Sequence, residues 1–276
     1  MYELERVPPL TAPVLLVAFD GWVSAGAAGT TAADHVAADG EVIARFAPGR
    51  LFDFRVSRPT ATLTDGRLTG VEWPSLAVRH RRIGRRDLLV LTGPEPNWNW
   101  PDLAASVAEL CSTLGVVEQI SLGGIPWAAP HTRPTEVVTT SSRAGLIGSD
   151  DNPPEGELQV PAALALVVEQ QVTAAGIPAI GLWARVPHYI GTTYYPGVVA
   201  LVERVSRHTG IDIPLGSLVD DSAAQRRQLA TLLETRPEAR QMVERYEELV
   251  DSHEAASGMD VTAEIERYLR EQSEGL

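Results

Sequence analysis

The sequence of 276 residues contains no lysine, so all 23 of its basic residues are arginine. This absence excludes several mechanisms that depend on a lysine side chain. They include the phosphate-binding lysine of P-loop nucleotide hydrolases, the ATP-binding lysine of protein kinases, and any lysine Schiff base. A GC-rich genome, in which arginine codons are common, is the simplest explanation for the exclusive use of arginine.

Cysteine is almost absent too. Cys111 is the single cysteine, which excludes an intramolecular disulfide and a cysteine zinc cluster. The six histidines form neither an i, i+4 pair nor an H-E-x-x-H motif, so we expect no metal and no cofactor. The sequence also lacks the G-x-S-x-G elbow of serine hydrolases and the G-x-G-x-x-G dinucleotide fingerprint. No catalytic residue can therefore be assigned.

Long hydrophobic runs are missing as well. No apolar run approaches the roughly 20 residues of a membrane-spanning helix, and the amino terminus does not look like a signal peptide. The net charge of −13 argues against nucleic acid and anionic membranes as partners. Apolar residues make up 44% of the chain, enough to bury a core. We expect a cytoplasmic globular protein that binds neither nucleic acid nor membrane.

The beginning of the chain predicts an α/β fold. Residues 13–19 form a continuous apolar run, which is typical of a central strand buried on both faces of its sheet. A helix rich in alanine and glycine follows, with Ser24 as its N-cap and Gly40 just past its end. Residues 41–46 then form a second strand, and this strand–helix–strand order favours an α/β sheet.

Further elements follow the same alternation. Strands are predicted at 75–80, 87–92, 117–122 and 179–186, and helices at 103–114, 158–175 and 196–208. Two long polar loops are expected, at 48–74 with a short edge hairpin around Asp65-Gly66, and at 141–157. The arginine-rich residues 79–86 are interpreted as a solvated turn, with an anion-binding site or a surface for an acidic partner as the alternative.

The composition changes near Leu218. From Asp220 onward there are 14 acidic residues and 7 arginines, which predicts an α/β core domain at 1–218 and an acidic helical appendage at 219–276. Two amphipathic stripes predict helices that are broken at Arg236-Pro237 and Ser257-Gly258. The stripes are Met242, Tyr246, Leu249 and Val250, then Val261, Ile265, Tyr268 and Leu269. Each stripe must bury itself on the α/β body or on another subunit.

Polar and aromatic side chains concentrate just past the predicted strand ends. The carboxyl ends of parallel strands meet at one edge of a sheet, where α/β proteins bind ligands. The sequence therefore predicts a ligand crevice lined by Asp20, Trp22, Asn97, Trp98, His131, Arg133 and His188. Both histidines follow a proline, and each can cap a turn or serve as an acid, a base or a ligand contact. Trp98 and Trp100 can stack on a ligand or fill a subunit interface.

Three separated segments of the sequence carry a family resemblance. They are 15–22 with Ala25-Gly26, Gly124-Ile125-Pro126 leading to 130–134, and 181–190 followed by Tyr195-Pro196. In this order they resemble the proteasome assembly chaperone family, of the second-chaperone type and its actinobacterial branch, over about residues 1–218. The resemblance implies a three-layer α/β/α sandwich with a mostly parallel mixed sheet, like that of nucleoside phosphorylases and related hydrolases. It also implies self-association, commonly as a trimer, and a proteasome-related or other protein partner.

One departure from the family concerns proteasome docking. Relatives that bind the proteasome often end in a hydrophobic residue, a tyrosine and one further residue. Here the sequence ends Gln272-Ser273-Glu274-Gly275-Leu276, and Tyr268 lies too far back. Docking by that route is not expected.

Two functions of different classes remain open at this point. The first is a non-enzymatic, homo-oligomeric binding or assembly-chaperone-like protein. The alternative is an enzyme or sensor for an anionic or nucleotide-like small molecule bound in the strand-end crevice. A third interpretation is that the crevice residues only stabilise a trimer interface.

Overall fold

The structure is a computed structural model that describes residues 1–148, 151–154 and 156–251. The strands in these ranges are β1 (Tyr2–Leu4), β2 (Val14–Asp20), β3 (Glu41–Phe46), β4 (Thr60–Thr64), β5 (Arg67–Glu72), β6 (Ala77–Ile83), β7 (Arg86–Pro94), β8 (Glu118–Trp127), β9 (Val137–Ser141) and β10 (Ala179–Pro187). The helices are α1 (Ala28–Val36), α2 (Trp100–Leu114), α3 (Leu164–Ala174), α4 (Tyr195–Thr209), α5 (Leu218–Thr235) and α6 (Pro237–Asp251).

Eight of these strands form one sheet in the order β1-β3-β6-β7-β2-β8-β10-β9. The four strands β7, β2, β8 and β10 are parallel neighbours at its centre. The pairs β1–β3, β3–β6, β6–β7 and β10–β9 are antiparallel. This topology confirms the predicted mostly parallel mixed sheet and places the carboxyl ends of its four central strands at one edge.

Helices cover both faces of the sheet. On β2, Leu15 and Val17 pack into the core shared with α2 and α3, whereas Leu16 and Ala18 pack into the core shared with α1 and α4. All four side chains are buried, as a continuous apolar run requires when both faces are covered. The predicted three-layer α/β/α sandwich is confirmed.

The small residues of α1 let this helix lie directly on the sheet backbone. A Cβ atom added to Gly29 would lie 2.5 Å from the carbonyl oxygen of Leu122 on β8. The helix begins at Ala28, after a 3-10 turn at Ala25–Ala27, and not directly after Ser24 as predicted. The Ser24 hydroxyl donates instead to Asp20 Oδ1 at 2.8 Å, so it does not cap the helix.

Several strands differ from the prediction. No strand is predicted at β1, and β6 ends at Ile83 and not at His80. β8 continues through the glycine pair at 123–124 to Trp127, because β10 pairs with it in parallel as far as Pro187. β9 is a further strand, in a segment for which the sequence predicts no element. It pairs antiparallel with β10 and forms that edge of the sheet.

The predicted hairpin around Asp65-Gly66 is present as β4 and β5. Both turn residues have positive φ, 51° and 76°, as a tight hairpin turn requires. The two strands form a separate sheet and are not an edge of the main one. Every residue of both strands is exposed.

The predicted helix break at Arg236-Pro237 separates α5 from α6. On α6, Val243 is the buried residue, whereas Leu249 of the predicted stripe is exposed. The break at Ser257-Gly258 and the stripe from Val261 to Leu269 lie outside the described residues. None of the helices in the described ranges is long and apolar enough to cross a membrane.

The arginine-rich segment 79–86 is not the predicted solvated turn, because Arg79 to Arg82 lie on β6 and only Gly84 and Arg85 form a turn. Part of it is an internal anchor. Asp87 is fully buried and accepts hydrogen bonds from the Thr11 backbone at 2.6 Å, from His80 Nε2 at 2.7 Å and from Arg82 at 2.8 and 2.9 Å. Burial raises the pKa of Asp87, but these hydrogen bonds outweigh it and hold that pKa well below its ordinary value. Arg81 binds the carbonyl oxygens of His35 and Val36 at the end of α1.

Candidate functional site

The seven predicted crevice residues lie at the carboxyl edge of the sheet, but they fall into two groups with different partners. The first group, at the ends of β2 and β7, contains Asp20, Trp22, Asn97 and Trp98. The second group, beyond the ends of β8 and β10, contains His131, Arg133 and His188.

Glu95 organises the first group. Its Oε1 accepts the backbone N–H of Leu164 at 2.7 Å, and its Oε2 accepts that of Trp22 at 3.4 Å. A carboxylate at the first residue of α3 satisfies an otherwise unpaired N–H and favours a helix start there. This contact explains why α3 begins at Leu164 and not at Leu158. Gly21 permits the approach, since a Cβ there would lie 2.5 Å from Glu95 Cβ.

Asn97 acts as a loop tie. Its Oδ1 accepts the backbone N–H of Asp53 at 3.0 Å and the hydroxyl of Ser57 at 3.1 Å. The indole rings of Trp22 and Trp98 are both exposed to solvent beside these ties. The first group therefore consists of paired polar groups that hold loops together, with two tryptophans on the outer surface.

The two histidines of the second group belong to a row of four rings. The order of the rings is His131, Tyr189, His188 and Tyr246. Their centroids lie 5.9, 5.6 and 5.7 Å apart in sequence, each pair edge to face. Tyr189 Oη lies 2.8 Å from His131 Nδ1, and Tyr246 Oη lies 2.8 Å from His188 Nε2. The last ring belongs to α6, so the helix completes the row.

The environment of His131 defines its protonation. Burial lowers its pKa, a nearby Glu247 carboxylate opposes this, and Arg226 adds to it, so the net shift is downward. Tyr189 Oη accepts the His131 backbone N–H at 3.0 Å and is also hydrogen-bonded to His131 Nδ1. Within the described part of the chain, Nε2 is buried and has no hydrogen-bond partner.

Arg133 binds two carboxylates of α6. It donates from Nη2 and Nε to Asp251 at 2.7 and 3.1 Å, and from Nη1 to Glu247 at 3.2 Å. The hydroxyl of Thr132 also donates to Glu247. The Arg133 hydrogen bond lowers the pKa of Asp251. We call the contacts of Tyr246, Glu247 and Asp251 with the body the α6 latch.

Sequence reasoning missed Thr132 and Tyr189, each next in the chain to a predicted histidine, and four other participants in these groups, namely Glu95, Tyr246, Glu247 and Asp251. Glu95 belongs to the same post-strand segment as Asn97, so its position was the available signal. Nothing in the sequence signalled the other three as neighbours of His188 and Arg133. Among the described residues, no group of three His, Cys, Asp or Glu side chains could hold a metal ion.

A buried carboxylate also lies inside the body, away from the strand ends. Glu169 on α3 is buried, and its Oε2 has no hydrogen-bond partner within the described ranges. Burial raises its pKa to about 7, which the Ser142 backbone opposes only in part. The amide oxygen of Gln119 on β8 is a second buried acceptor without a partner in those ranges.

A polar pocket of about 370 Å³ lies between the loop before α4 and helix α5. Gln225 lines it and is already hydrogen-bonded, accepting from the Tyr195 backbone at 2.9 Å and donating to the Thr193 carbonyl at 2.6 Å. The side-chain amide of Gln225 therefore holds α5 against the loop before α4.

Comparisons with known proteins give a consistent picture. A profile of the PAC2 family matches residues 18–233. The structure of a Mycobacterium tuberculosis protein of unknown function, Rv2714, is 32% identical with a TM-score of 0.86, and the match covers 96% of each chain. That of a PAC2 family protein from Streptomyces avermitilis is 33% identical with a TM-score of 0.74, covering 80% of this chain and 95% of that one.

A third solved structure carries a functional name. The Mycobacterium tuberculosis proteasome-assembly chaperone homologue Rv2125 is 29% identical with a TM-score of 0.75, and the match covers 79% of this chain and 94% of that one. A search of curated proteins finds no match.

Proposed function

The chain belongs to the PAC2 family, as its three sequence segments predict, and we propose that it is a non-enzymatic, self-associating protein of assembly-chaperone type. In this proposal it forms a homotrimer in the cytoplasm and binds a proteasome-related or other protein partner. Its α/β core at 1–218 carries the self-association, and the acidic appendage at 219–276 acts on the partner-binding edge.

The β4–β5 hairpin is the observation that carries this proposal. Leu63 pairs with Leu68 and Ala61 with Val71, two positions apart on β4, so these four side chains share one face. Thr64 and Thr69, whose hydroxyls lie 3.3 Å apart, form part of the other face. The apolar face is uncovered, with Leu63 and Leu68 exposed to 64% and 63%.

An isolated two-stranded hairpin is marginally stable in water, and its apolar face gains stability only when it is covered. Beside it, Phe54 and Trp73 pack edge to face at 4.6 Å, which steadies the base of the hairpin but leaves its leucines open. A second copy of the chain would cover that face. Self-association through the hairpin therefore supplies what the single chain lacks.

Sedimentation velocity tests this step. We expect the wild-type protein to sediment as a species with three times the mass of one chain, which is 29.7 kDa. The double variant Leu63→Asp/Leu68→Asp should dissociate at least about tenfold more readily, since two charges would be buried in the interface. Val117→Asp is the matched control, because Val117 is similarly exposed (44%) but precedes β8 at the opposite edge of the sheet. A wild-type monomer, or a double variant that assembles as wild type does, would contradict the proposal.

The partner class rests on the relatives. The homologue Rv2125 is described as a proteasome-assembly chaperone homologue. At the strand-end edge of the present chain, Glu95, His188 and Arg133 bind the chain's own groups, whereas Trp22 and Trp98 are exposed. Native mass spectrometry with purified proteasome α subunits should detect a complex with the wild-type protein. If no complex forms at micromolar concentrations of both proteins, the partner is not a proteasome α subunit.

A further inference from the structure

Helix α6 combines modest apolar burial with polar contacts to the body. Val243 is buried, and Met242, Tyr246 and Val250 are half-buried. The other well-defined contacts are those of the α6 latch, in which Tyr246 meets His188, Glu247 meets Thr132, and Asp251 meets Arg133. A helix with a single fully buried side chain belongs to the less stable parts of a fold.

The body's side of this contact is a receptor for carboxylates. Arg133 presents its planar fork to Asp251 and a third N–H to Glu247, the geometry that arginine uses for bidentate carboxylate recognition. Thr132 adds a hydroxyl donor, and Nε2 of His188 is hydrogen-bonded to the hydroxyl of Tyr246. All three receptor residues belong to the α/β body, and both carboxylates belong to α6.

A second observation points to a ligand at the same place. His131 is only 3% exposed, and its Nε2 has no partner in the part of the chain that the structure describes. Its other nitrogen is already bonded to Tyr189. A buried polar nitrogen without a hydrogen-bond partner is costly, so α6 does not satisfy this site completely. An occupant that supplies one more hydrogen-bonding group would bind more tightly.

The connection between α5 and α6 would allow α6 to dissociate from the body. Arg236 has φ −131° and ψ 87°, which is not helical, and it lies between the end of α5 and the start of α6. Pro237 begins α6 and has no N–H to continue the hydrogen bonding of α5. Rotation at Arg236 would therefore release α6 as a unit and leave α5 in place.

We propose that Thr132, Arg133, His188 and the buried His131 form a binding site for an acidic helix of a partner protein, and that α6 occupies this site as an internal competitor. The required partner helix carries a tyrosine, a carboxylate at the next position and a second carboxylate four positions later, as Tyr246, Glu247 and Asp251 do. Recognition of acidic motifs by arginine is a common mode of peptide binding. The inference rests on the proposed protein-binding function and names the chemistry of the partner.

A fluorescent peptide of residues 237–251, added to the full chain, tests the proposal. The variant Glu247→Gln/Asp251→Asn weakens the internal competitor, so it should bind the peptide at least about ten times more tightly than wild type does. Adding Arg133→Gln to this double variant should lower its affinity for the peptide at least tenfold. Adding Arg207→Gln, an exposed arginine on α4, should leave it unchanged and serves as the matched control. A peptide with the same two carboxylates neutralised should bind no variant.

Equal binding by wild type and the double variant, or binding that survives Arg133→Gln, would overturn the proposal. If the double variant dimerises without peptide and the peptide dissociates that dimer, the occupant is α6 of a second copy, which also overturns it. The test is independent of self-association through the hairpin. A monomer that binds the peptide would refute the trimer alone, and a trimer that ignores the peptide would refute the acidic-helix site alone.

Discussion

Two arginine–carboxylate clusters of this molecule use the same chemistry in opposite surroundings. Arg82 binds Asp87 through two hydrogen bonds, and Arg133 binds Asp251 in the same way. The side chain of Asp87 is 0% exposed, whereas that of Asp251 is 57% exposed. Asp87 is buried and has two further partners, the Thr11 backbone and His80, whereas Asp251 is exposed.

The difference determines what each cluster can do. A buried carboxylate cannot lose its partners without leaving an uncompensated charge, so the Asp87 cluster permanently ties β6, β7 and the segment at Thr11 together. An exposed pair gains little over separate hydration and is screened by salt, so the α6 latch can exchange. The same arginine–aspartate pair is therefore an anchor in one place and a reversible contact in the other.

The largest expected effect comes from breaking the anchor. Asp87→Asn removes the charge that pairs with Arg82 and His80 and should lower the free energy of unfolding by about 3 kcal/mol. Urea denaturation at pH 7 measures this loss. Glu244→Gln, which removes an exposed pair with Arg240, is the control and should leave the urea midpoint unchanged. A loss as small as that of the control would show that burial does not distinguish the two clusters.

The next effect contrasts Asp87 with Glu169, a buried carboxylate that lacks such partners. The pKa of Glu169 is raised to about 7 from 4.5, so its stabilising, protonated form is present below pH 4.5 and is lost as the pH rises through 7. The lowered pKa of Asp87 has the opposite sign, since its contribution is lost as the pH falls below its ordinary value.

Glu169→Gln isolates this contribution from the other carboxylates. The stability of the variant relative to wild type should increase by up to about 3 kcal/mol between pH 4.5 and pH 8. Urea midpoints at several pH values provide the measurement. A difference that does not change with pH would mean that Glu169 is ionised throughout and has a partner.

The smallest effect concerns the α6 latch. Glu247→Gln/Asp251→Asn should leave the global urea midpoint unchanged, because the pair is exposed, but should speed amide hydrogen exchange in α6 by about tenfold. High salt should have the same effect on the wild-type helix. Exchange in β7 is the internal control and should stay constant. If β7 also exchanged faster, the latch would be part of the global fold.

The sequence predicted the core of the sheet well, for a physical reason. A strand buried on both faces needs an unbroken apolar run, and residues 13–19 supply one. The limits of other helices and strands depend on contacts with residues far away in the sequence, so the local sequence does not predict them. α3 begins at Leu164 because Glu95, 69 positions earlier, accepts its N–H. β9 is an edge strand whose partner β10 lies far along the chain, so its short segment carried no distinctive pattern.

The candidate site was only partly predictable for the same reason. The convergence of parallel strand ends placed all seven predicted residues at one edge, but it could not divide them into two groups. That division depends on α6, whose Tyr246 lies 58 positions after His188. The apolar stripe indicated a helix and included Tyr246, but Glu247 and Asp251, which also dock the helix, are acids that composition alone assigns to solvent.

The position of α6 at a late point in the chain has a consequence for protein synthesis. His188 leaves the ribosome 58 residues before Tyr246, which at roughly 5–20 residues per second is a delay of about 3–12 s. During that interval the growing chain has made Thr132, Arg133 and His188 but not the helix that covers them. In each newly made molecule the residues of the acidic-helix site are therefore synthesised before α6. The rate of translation sets the earliest time at which α6 can cover them.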